Sequence, residues 1–506
     1  MSKAIEQPTR PFIPYSFCIL LFVCVWLHVF IARNVMLDTI LLQILGSCMA
    51  AALGLWYVKY AHTSLMTVGV VLLSLVIILI RSSFIYVSQM TSVDLLESTA
   101  IHNFELVVSR DLVYKNHAWT GQANVMYQGR CIGSVGLHAK EPFLRETHLC
   151  CEGRFSHYKD KEFSEEQFKR GVLGSIQITK VNSKTYGEGI IGEVAQFREN
   201  CISQLQPEQS FGRALVACGL CAYRPSLYSF NIPRIFMRCG LMHLIAISSC
   251  HMVILSAFID AFLKKLTIKP LLRGVVNLFL LSSYALFCGL PASAMRAILL
   301  VEQKYVMHYV GRKNHTLSAV SIVALFMLCI DPQLSVNIAF TLSLACIFGM
   351  NIYGGLAQYY AKIAFHISGY GTIQKILRKP FSDVRNTMCA TTVAQLSCLP
   401  ISCMYFGHFS LLAPLSSALI TSLFSLLSLF GIGAIALCWF KPAQDVAFCL
   451  VDFLGQFIET LTSFLSERSF ASVSLTDMSW IVSLLVFAAM VALYVFWPKG
   501  KRVVLS

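Results

Sequence analysis

The chain of 506 residues is 56% hydrophobic and only 13% charged, a composition that excludes a soluble globular protein of this length. It carries 40 lysines and arginines against 26 aspartates and glutamates, a formal net charge of +14 at pH 7. Because residues 91–200 are nearly balanced in charge, the basic excess lies in the apolar segments and their loops, where it sets orientation or attracts a polyanion.

Long apolar stretches predict membrane-spanning helices, since a span needs about 20 apolar residues to cross a hydrocarbon core about 30 Å thick. With about four more between residues 317 and 437, the chain is expected to be a polytopic α-helical membrane protein of about 9–11 spans. Segments 211–236, 292–309 and 443–465 are interfacial, re-entrant or spanning, and hydropathy does not decide between these alternatives. The clearest stretches are 14–31, 37–56, 66–87, 240–263, 271–290 and 480–497.

The first apolar stretch is too long, and lacks the small-residue cleavage site, for a removable signal peptide. Basic residues flanking the stretches predict that both termini and the loop after residue 263 are cytoplasmic, by the positive-inside bias. Three spans before residue 91 then deliver the following polar segment to the extracytoplasmic side. The flanking basic residues are Lys3, Arg10, Lys59, Lys264, Lys265, Lys269, Arg273, Lys499, Lys501 and Arg502.

The polar segment 91–205 predicts a small β domain, with a charged and helical stretch at 159–170 between its third and fourth strands. Five short strands are enough for a barrel of the OB type, a fold that often holds single nucleic-acid strands on basic and aromatic surfaces. A barrel face that merely packs is the alternative. The predicted strands are 102–110, 122–128, 147–155, 174–181 and 186–193, and the candidate DNA contacts are Tyr127, Arg130, Arg154, Tyr158 and Lys159.

Most of the nineteen cysteines lie in apolar spans, where a thiol behaves as a small hydrophobic group. Within residues 92–200, the polar part of the extracytoplasmic segment, where oxidation is permitted, the only cysteines are Cys131, Cys150 and Cys151. If their strands are neighbours, Cys131 is expected to form a disulfide with either Cys150 or Cys151.

Short polar blocks follow the β domain in apolar surroundings, and burying such groups costs about 1–3 kcal/mol each unless a partner or an aqueous path replaces their water. In order they read Ala-Cys-Gly-Leu-Cys-Ala-Tyr-Arg (217–224), Cys-Gly-Leu-Met-His-Leu-Ile-Ala-Ile-Ser-Ser-Cys-His (239–251), Gly-Leu-Pro-Ala-Ser-Ala-Met-Arg-Ala (289–297), Asp-Pro (331–332) with Phe-Thr-Leu-Ser (340–343), and Ala-Gln-Leu-Ser-Cys-Leu-Pro (394–400) with Phe-Gly-His-Phe-Ser (406–410).

This succession of blocks resembles the competence domain of the ComEC family, bacterial inner-membrane proteins that pass transforming DNA into the cytoplasm as a single strand. The resemblance covers roughly residues 90–430, and the β domain looks like the OB-type domain of that family. It implies an inner-membrane channel for uptake of single-stranded DNA. The implied organisation is transmembrane helices at 1–90, the OB-like domain at 91–205, the channel domain at 206–440, and an amphipathic segment with the last transmembrane helix at 441–506.

The resemblance also implies partners: single-stranded DNA, the lipid bilayer, a DNA receptor and a cytoplasmic single-strand import helicase, with a further copy of the chain as a candidate oligomeric partner. Many family members carry a metallo-β-lactamase-like domain, whose His-x-His-x-Asp-His run does not occur here. Degradation of the second strand is therefore expected from a separate nuclease. The residues expected to line or shape the DNA path are Arg224, His243, Ser248, His251, Arg296 and Gln395.

Each path residue also has a structural alternative. Arg296 lies either on an interfacial helix or on a pore-side helix, where its guanidinium would contact phosphates. On one continuous helix, His243 and His251 would lie about 80° apart, near enough to border one cavity or to bond neighbouring helices. Their spacing is not that of metal ligands. Asp331 is expected to cap the segment that follows it, and Gln395 lies on a span predicted to end at Pro400.

The chain departs from the family pattern at several positions. It has Ser248-Ser249-Cys250-His251 where Ser-Gly-Leu-His is usual, Ala339 and Thr341 in place of Gly and Gln, and Ser417 and Ser422 in place of Asn and Pro. No Walker A motif or serine-hydrolase elbow occurs, so an enzyme, a cofactor and a metal site are not expected. Two alternatives to the channel remain: a membrane enzyme acting on lipid-linked or phosphorylated substrates, and a non-conducting remnant of the family.

Overall fold

The structure is a computed structural model that divides the chain into two units. The barrel unit is Pro14–Asn200 with Met252–Phe340, and the helical unit is Met1–Ile13, Cys201–His251 and Thr341–Ser506. The predicted spans at 14–31 and 37–56 lie outside the described residues. The structure describes residues 4–6, 65–98, 103–115, 117–158, 164, 167–168, 170–187, 189–245, 249–311, 315–364, 372–406, 408–468, 472–474, 479–497 and 502–504.

Helices make up most of the described chain, and five of the strands form one barrel. The strands are β1 Ala4–Glu6, β2 Asn103–Lys115, β3 Ala118–Tyr127, β4 Arg130–Ala139, β5 Thr147–Ser156, β6 Val172–Tyr186, β7 His408–Ser410, β8 Ser472–Ser474 and β9 Arg502–Val504. The helices are α1 Leu65–Ser98, α2 Ile190–Leu205, α3 Phe211–Cys221, α4 Pro225–Ser229, α5 Ile232–Cys239, α6 Met242–Ile245, α7 Ser249–Lys265, α8 Pro270–Phe287, α9 Ala292–Tyr309, α10 Thr316–Ile330, α11 Ile338–Ala364, α12 Thr372–Phe406, α13 Ala413–Ala436, α14 Lys441–Ser466 and α15 Ser479–Val495, with a 3₁₀ turn at Pro332–Val336.

The barrel closes in the strand order β2-β3-β4-β6-β5. Strands β4 and β6 pair in parallel, and the remaining neighbours pair antiparallel. Alternate side chains of β2 point inward, so Leu106 and Val108 join Val135, Leu137 and Ile176 in a core from which water is excluded. Burial of each such side chain contributes about 1.5–3 kcal/mol, which makes the barrel a domain with its own core.

One of the five predicted strands is wrong, and one strand was missed. The predicted strand 174–181 lies within β6, but 186–193 is not a strand, because β6 ends at Tyr186 and α2 begins at Ile190; the missed strand is β4. Gly133 and Gly136 weaken the strand signal of β4, yet a Cβ at these positions would crowd Leu173 and Tyr158. Gln128 and Gly129 both have positive φ, as a two-residue hairpin loop between β3 and β4 requires. Of the predicted helical stretch 159–170, residues 164, 167 and 168 are helical.

The predicted disulfide is not formed, because the strands that carry its cysteines are not neighbours. Cys131 lies on β4, which pairs with β3 and β6, whereas Cys150 and Cys151 lie on β5, which pairs with β2 and β6. All three cysteines are free thiols. Burial, together with the neighbouring Cys150, raises the pKa of Cys151 to about 12, so this thiol is unreactive.

Four helices of the described chain are long and apolar enough to cross a membrane, namely α8, α11, α13 and α14. Helix α8 coincides with the predicted span 271–290, and α14 is one of the segments that hydropathy left undecided. The predicted span 240–263 is corrected, because α5 ends before Gly240, and α6 and α7 are separate helices. Pro400 does not end a span either, since α12 continues to Phe406.

Candidate functional site

Two of the polar blocks meet in the helical unit, at the C-terminal end of α5. Helix α5 ends at Gly240, whose φ of +71° turns the chain. The hydroxyl of Ser410 donates to the Arg238 carbonyl at 2.9 Å, and that of Ser416 donates to the Cys239 carbonyl at 2.6 Å. Serine hydroxyls thus bind carbonyls that a helix end leaves without an intrahelical partner.

Two further helices, α12 and α14, also contact the strand that contains Ser410 and this end of α5, respectively. The Gln395 side-chain amide on α12 donates to the Ser410 carbonyl at 2.5 Å, and the Cys239 thiol lies 3.4 Å from the Thr462 carbonyl on α14. We call Cys239, Gly240, Gln395, Ser410 and Ser416 the polar junction. It joins α5, α12, α13 and α14 through main-chain carbonyls, so its geometry depends on backbone positions that side-chain hydropathy does not report.

We expect Gly240→Ala to lower the free energy of unfolding by about 2–4 kcal/mol. The φ of +71° costs a residue with a Cβ about 1–2 kcal/mol, and the new methyl group would overlap the Ala413 side chain, which adds about 1–3 kcal/mol. Thermal unfolding of the detergent-solubilised protein measures the difference. Gly433→Ala in α13 is the matched control, because a Cβ there meets no atom within 4 Å. Equal stability of the two variants would contradict the close packing at Gly240.

The structure places the predicted path residues in both units. In the helical unit, Arg224 is exposed before α4, and Gln395 belongs to the polar junction. His243 is also exposed there, and its Nδ1 lies 3.2 Å from the Gly240 carbonyl oxygen. Ser248 and the side chain of His251 lie outside the described residues. Because His243 and His251 belong to separate helices, the angle expected between them on one helix does not apply.

Arg296 belongs to the barrel unit and is only 1% exposed. It is one of the buried residues of α9, which begins after Pro291, and at 3.6 residues per turn it lies about 160° around the helix from the buried Ile298. A guanidinium at this depth acts inside the helix bundle, where it shapes the packing of α9, and does not face an open aqueous surface in this structure.

Sequence reasoning missed two arginines on α5. Arg234 and Arg238 lie one turn apart on the same face of the helix, the first exposed and the second half-buried. Within the described residues, these two and Arg224 form no ion pair. We call Arg224, Arg234 and Arg238 the unpaired arginines. Their spacing of four residues just before the Cys-Gly block was the signal available in the sequence.

Other arginines of the chain have carboxylate partners. In the helical unit, Arg213 donates from Nε and Nη2 to the two oxygens of Asp452 at 3.0 and 2.8 Å, and its guanidinium lies 4.3 Å from the ring centre of Phe448. In the barrel unit, Arg273 pairs with Asp260 at 3.0 Å. These carboxylates neutralise structural cations. The unpaired arginines have no such partner among the described residues, and neither have the exposed Arg130 and Arg154 of the barrel.

Three aspartates of the apolar segments have polar partners in the structure. Asp452 binds Arg213, Asp260 binds Arg273 and accepts from the Tyr305 hydroxyl at 2.9 Å, and Asp331 accepts from the Gln333 amide at 3.0 Å. The expected capping role of Asp331 is therefore confirmed. The residues that the structure describes contain no group of three or more metal-ligating side chains.

The candidate DNA contacts of the barrel fall into two groups. Tyr127 and Arg130 are cross-strand neighbours at the β3–β4 turn, and both are exposed. Arg154 is exposed on β5, and Tyr158 follows that strand and lies against Gly136 of β4, where burial raises the pKa of its hydroxyl. Lys159 lies outside the described residues. The structure therefore brings together Tyr127 and Arg130.

A family model described as "Competence protein" matches residues 226–500, more than half of the chain. The matched region begins after the barrel and contains Arg234, Arg238 and every residue of the polar junction. No curated protein and no solved structure matches the chain.

Proposed function

The chain belongs to the competence protein family, and on that premise we propose that it is the inner-membrane channel through which single-stranded DNA enters the cell in natural transformation. Family membership supports a role in competence and DNA uptake. Four helices with the length and composition of membrane spans support a membrane protein. Identification as a channel for the single strand goes beyond both and rests on the side chains described above.

The observation that carries this proposal is the pair Arg234 and Arg238, which have no ion-pair partner among the described residues and lie on the helix that ends at the polar junction. An unpaired guanidinium near hydrocarbon is costly, so arginines are kept there where a passing or bound anion repays the cost. Arginine suits phosphate because its planar fork binds two phosphate oxygens and stays charged at every relevant pH. Arg234 and Arg238, one turn apart, present two such forks along one face of α5.

The barrel fits the receiving end of this path. Five strands closed in this order, with one parallel pair, are compatible with the OB type, whose strands and loops bind single strands. Tyr127 and Arg130 offer a base-stacking ring and a phosphate-binding cation on neighbouring strands. In this proposal the barrel is extracytoplasmic and takes the strand from a DNA receptor. A cytoplasmic helicase draws the strand inward, and a separate nuclease degrades its complement.

A deletion strain of the source bacterium tests the proposed function. We expect the deletion to abolish accumulation of a labelled, nuclease-protected strand in the cytoplasm, and a plasmid copy of the gene to restore it. DNA introduced by electroporation bypasses import, so recombinants from that route should stay at the normal frequency. Normal uptake by the deletion strain, or failure of the plasmid copy to restore it, would contradict a conducting channel.

A further inference from the structure

The barrel unit contains a cavity of about 200 Å³ that the proposed DNA path does not use. It lies where β2 and β3 of the barrel meet α2 and the end of α8. Seven aliphatic residues line it, among them Val107, Ile191, Val194, Leu286 and Leu290, together with Gly289 and four polar or charged residues, Ser109, Asn124, Arg145 and Glu146. The aliphatic part of the lining offers water no hydrogen-bond partner, although about seven waters at ~30 Å³ each would fill this volume. That part of the lining suits an apolar occupant, and the polar residues suit a polar group attached to it.

The mouth of the cavity is apolar as well. Ile191 and Leu290 line the cavity and are also 52% and 50% exposed, so the cavity opens between them. Phe197, 61% exposed on α2, packs its ring 5.9 Å from that of Phe287. Exposed isoleucine, leucine and phenylalanine side chains thus surround the opening, an arrangement typical of a surface that contacts lipid.

The position of the mouth follows from its attachment to α8. Phe287 is the last residue of this candidate span, whose middle exposes Phe279. Arg145 Nη2 donates to the Phe287 carbonyl at 2.7 Å and so ties the barrel to the end of the helix. Gly289 permits this contact, since a Cβ there would overlap the guanidinium. The mouth therefore lies at the level where α8, as a membrane span, leaves the hydrocarbon.

We propose that the cavity holds an acyl chain of a membrane phospholipid and so seats the barrel on the bilayer. The chain would enter between Ile191 and Leu290 and pack against Val194 and Leu286. Arg145 would face its ester or phosphate oxygens, since it lines the cavity with a side chain that is nine-tenths buried. Its Nε makes no hydrogen bond among the described residues and lies 3.8 Å from the carboxylate of Glu146, its ion-pair partner. This inference rests on α8 crossing the bilayer, as in the proposed function, and does not depend on DNA conduction.

Photolabelling of the full-length protein tests the site. The protein is reconstituted in vesicles of phosphatidylethanolamine and phosphatidylglycerol that contain a phospholipid with a diazirine within its acyl chain, and the adducts are mapped by mass spectrometry. We expect adducts at residues 190–197 and 286–290, and on the exposed face of α8 at Phe279. Val194→Trp fills the cavity and should reduce the adducts at residues 190–197 and 286–290 to about a tenth, with Phe279 labelled as before.

Gln196→Trp is the matched control, because it adds the same ring at an exposed position of α2 and should leave the cavity adducts unchanged. If Phe279 is labelled while residues 190–197 and 286–290 are not, or if both tryptophan variants label alike, the acyl-chain site is wrong and the membrane channel still stands. If Phe279 is not labelled either, α8 does not cross the bilayer, and the proposed function fails together with the site.

Discussion

Asp111→Asn is expected to lower the free energy of unfolding of the barrel by about 3–5 kcal/mol, the usual cost of removing one partner from a buried ion pair. Asp111 accepts from Arg198 Nη1 at 2.9 Å and from Arg198 Nη2 at 2.5 Å, and it also accepts from the Arg145 amide at 2.9 Å. The side chains of the pair are only 6% and 2% exposed. Without the carboxylate, Arg198 would be a buried charge close to Arg145, whose pKa is already lowered by burial and by Arg198.

Thermal unfolding and pulse proteolysis within residues 103–186 of the full-length protein measure this change. The double variant Asp111→Leu with Arg198→Met should recover much of the lost stability, because no unpaired charge remains. Glu152→Gln on β5 is the control, since among the described residues its half-buried side chain makes one long hydrogen bond, of 3.4 Å to Asn182. A loss in Asp111→Asn no larger than in this control would show that the buried pair does not stabilise the barrel.

Strand patterning predicted the barrel but not all of its strands. Leu106 and Val108 alternate with more exposed neighbours in β2, and this alternation predicted the first strand of the barrel, at 102–110. The signal fails for β4 because glycines replace side chains at Gly133 and Gly136, where the facing Leu173 and Tyr158 take the space. A requirement of packing across the barrel is invisible in the local sequence.

Hydropathy predicted α8 correctly, but the single span that it predicted at 240–263 is wrong. The apolar run of α8 starts at Pro270 and is bounded by Gly289, so its ends are marked in the sequence. Residues 240–263 are just as apolar on average, yet Gly240 takes a left-handed conformation that ends α5. Hydropathy averages report how apolar a segment is and give no information about the backbone angle of one residue within it.

The sequence indicated which polar blocks belong to the candidate site, but it did not predict which residues of these blocks are in contact. The sequence ranked the 239–251 and 406–410 blocks as important, but the bond from Ser410 to the Arg238 carbonyl joins residues 172 apart in the chain. Arg234 and Arg238 were passed over because histidines in an apolar segment are the more conspicuous feature. What distinguishes these arginines is their position on one face of the helix that ends at the polar junction, and only tertiary structure reports that.

Replacing Arg234 and Arg238 together by glutamine is expected to reduce import of single-stranded DNA about 10–100-fold. Hydrogen bonds to charged groups contribute about 1.5–3 kcal/mol each, and two phosphate contacts would be lost in one step of the path. Lysine at both positions keeps the charge but loses the planar fork, so we expect an intermediate loss. Import is measured as nuclease-protected label per cell, divided by the amount of protein in the membrane.

The matched control removes two positive charges elsewhere. Lys264→Gln with Lys265→Gln changes an exposed basic pair at the end of α7 and should alter import less than about twofold, because solvated surface charges contribute little. A competing role for the arginines is binding of lipid phosphates, which would change how much protein inserts and leave import per molecule unchanged. If the glutamine variant of Arg234 and Arg238 differs from the glutamine variant of Lys264 and Lys265 only in the amount of protein in the membrane, the arginines anchor the helix to lipid. If the glutamine variant of Arg234 and Arg238 imports less DNA per molecule, and the variant with lysine at both positions lies between it and the unmodified protein, the arginines contact the phosphates of the moving strand at α5.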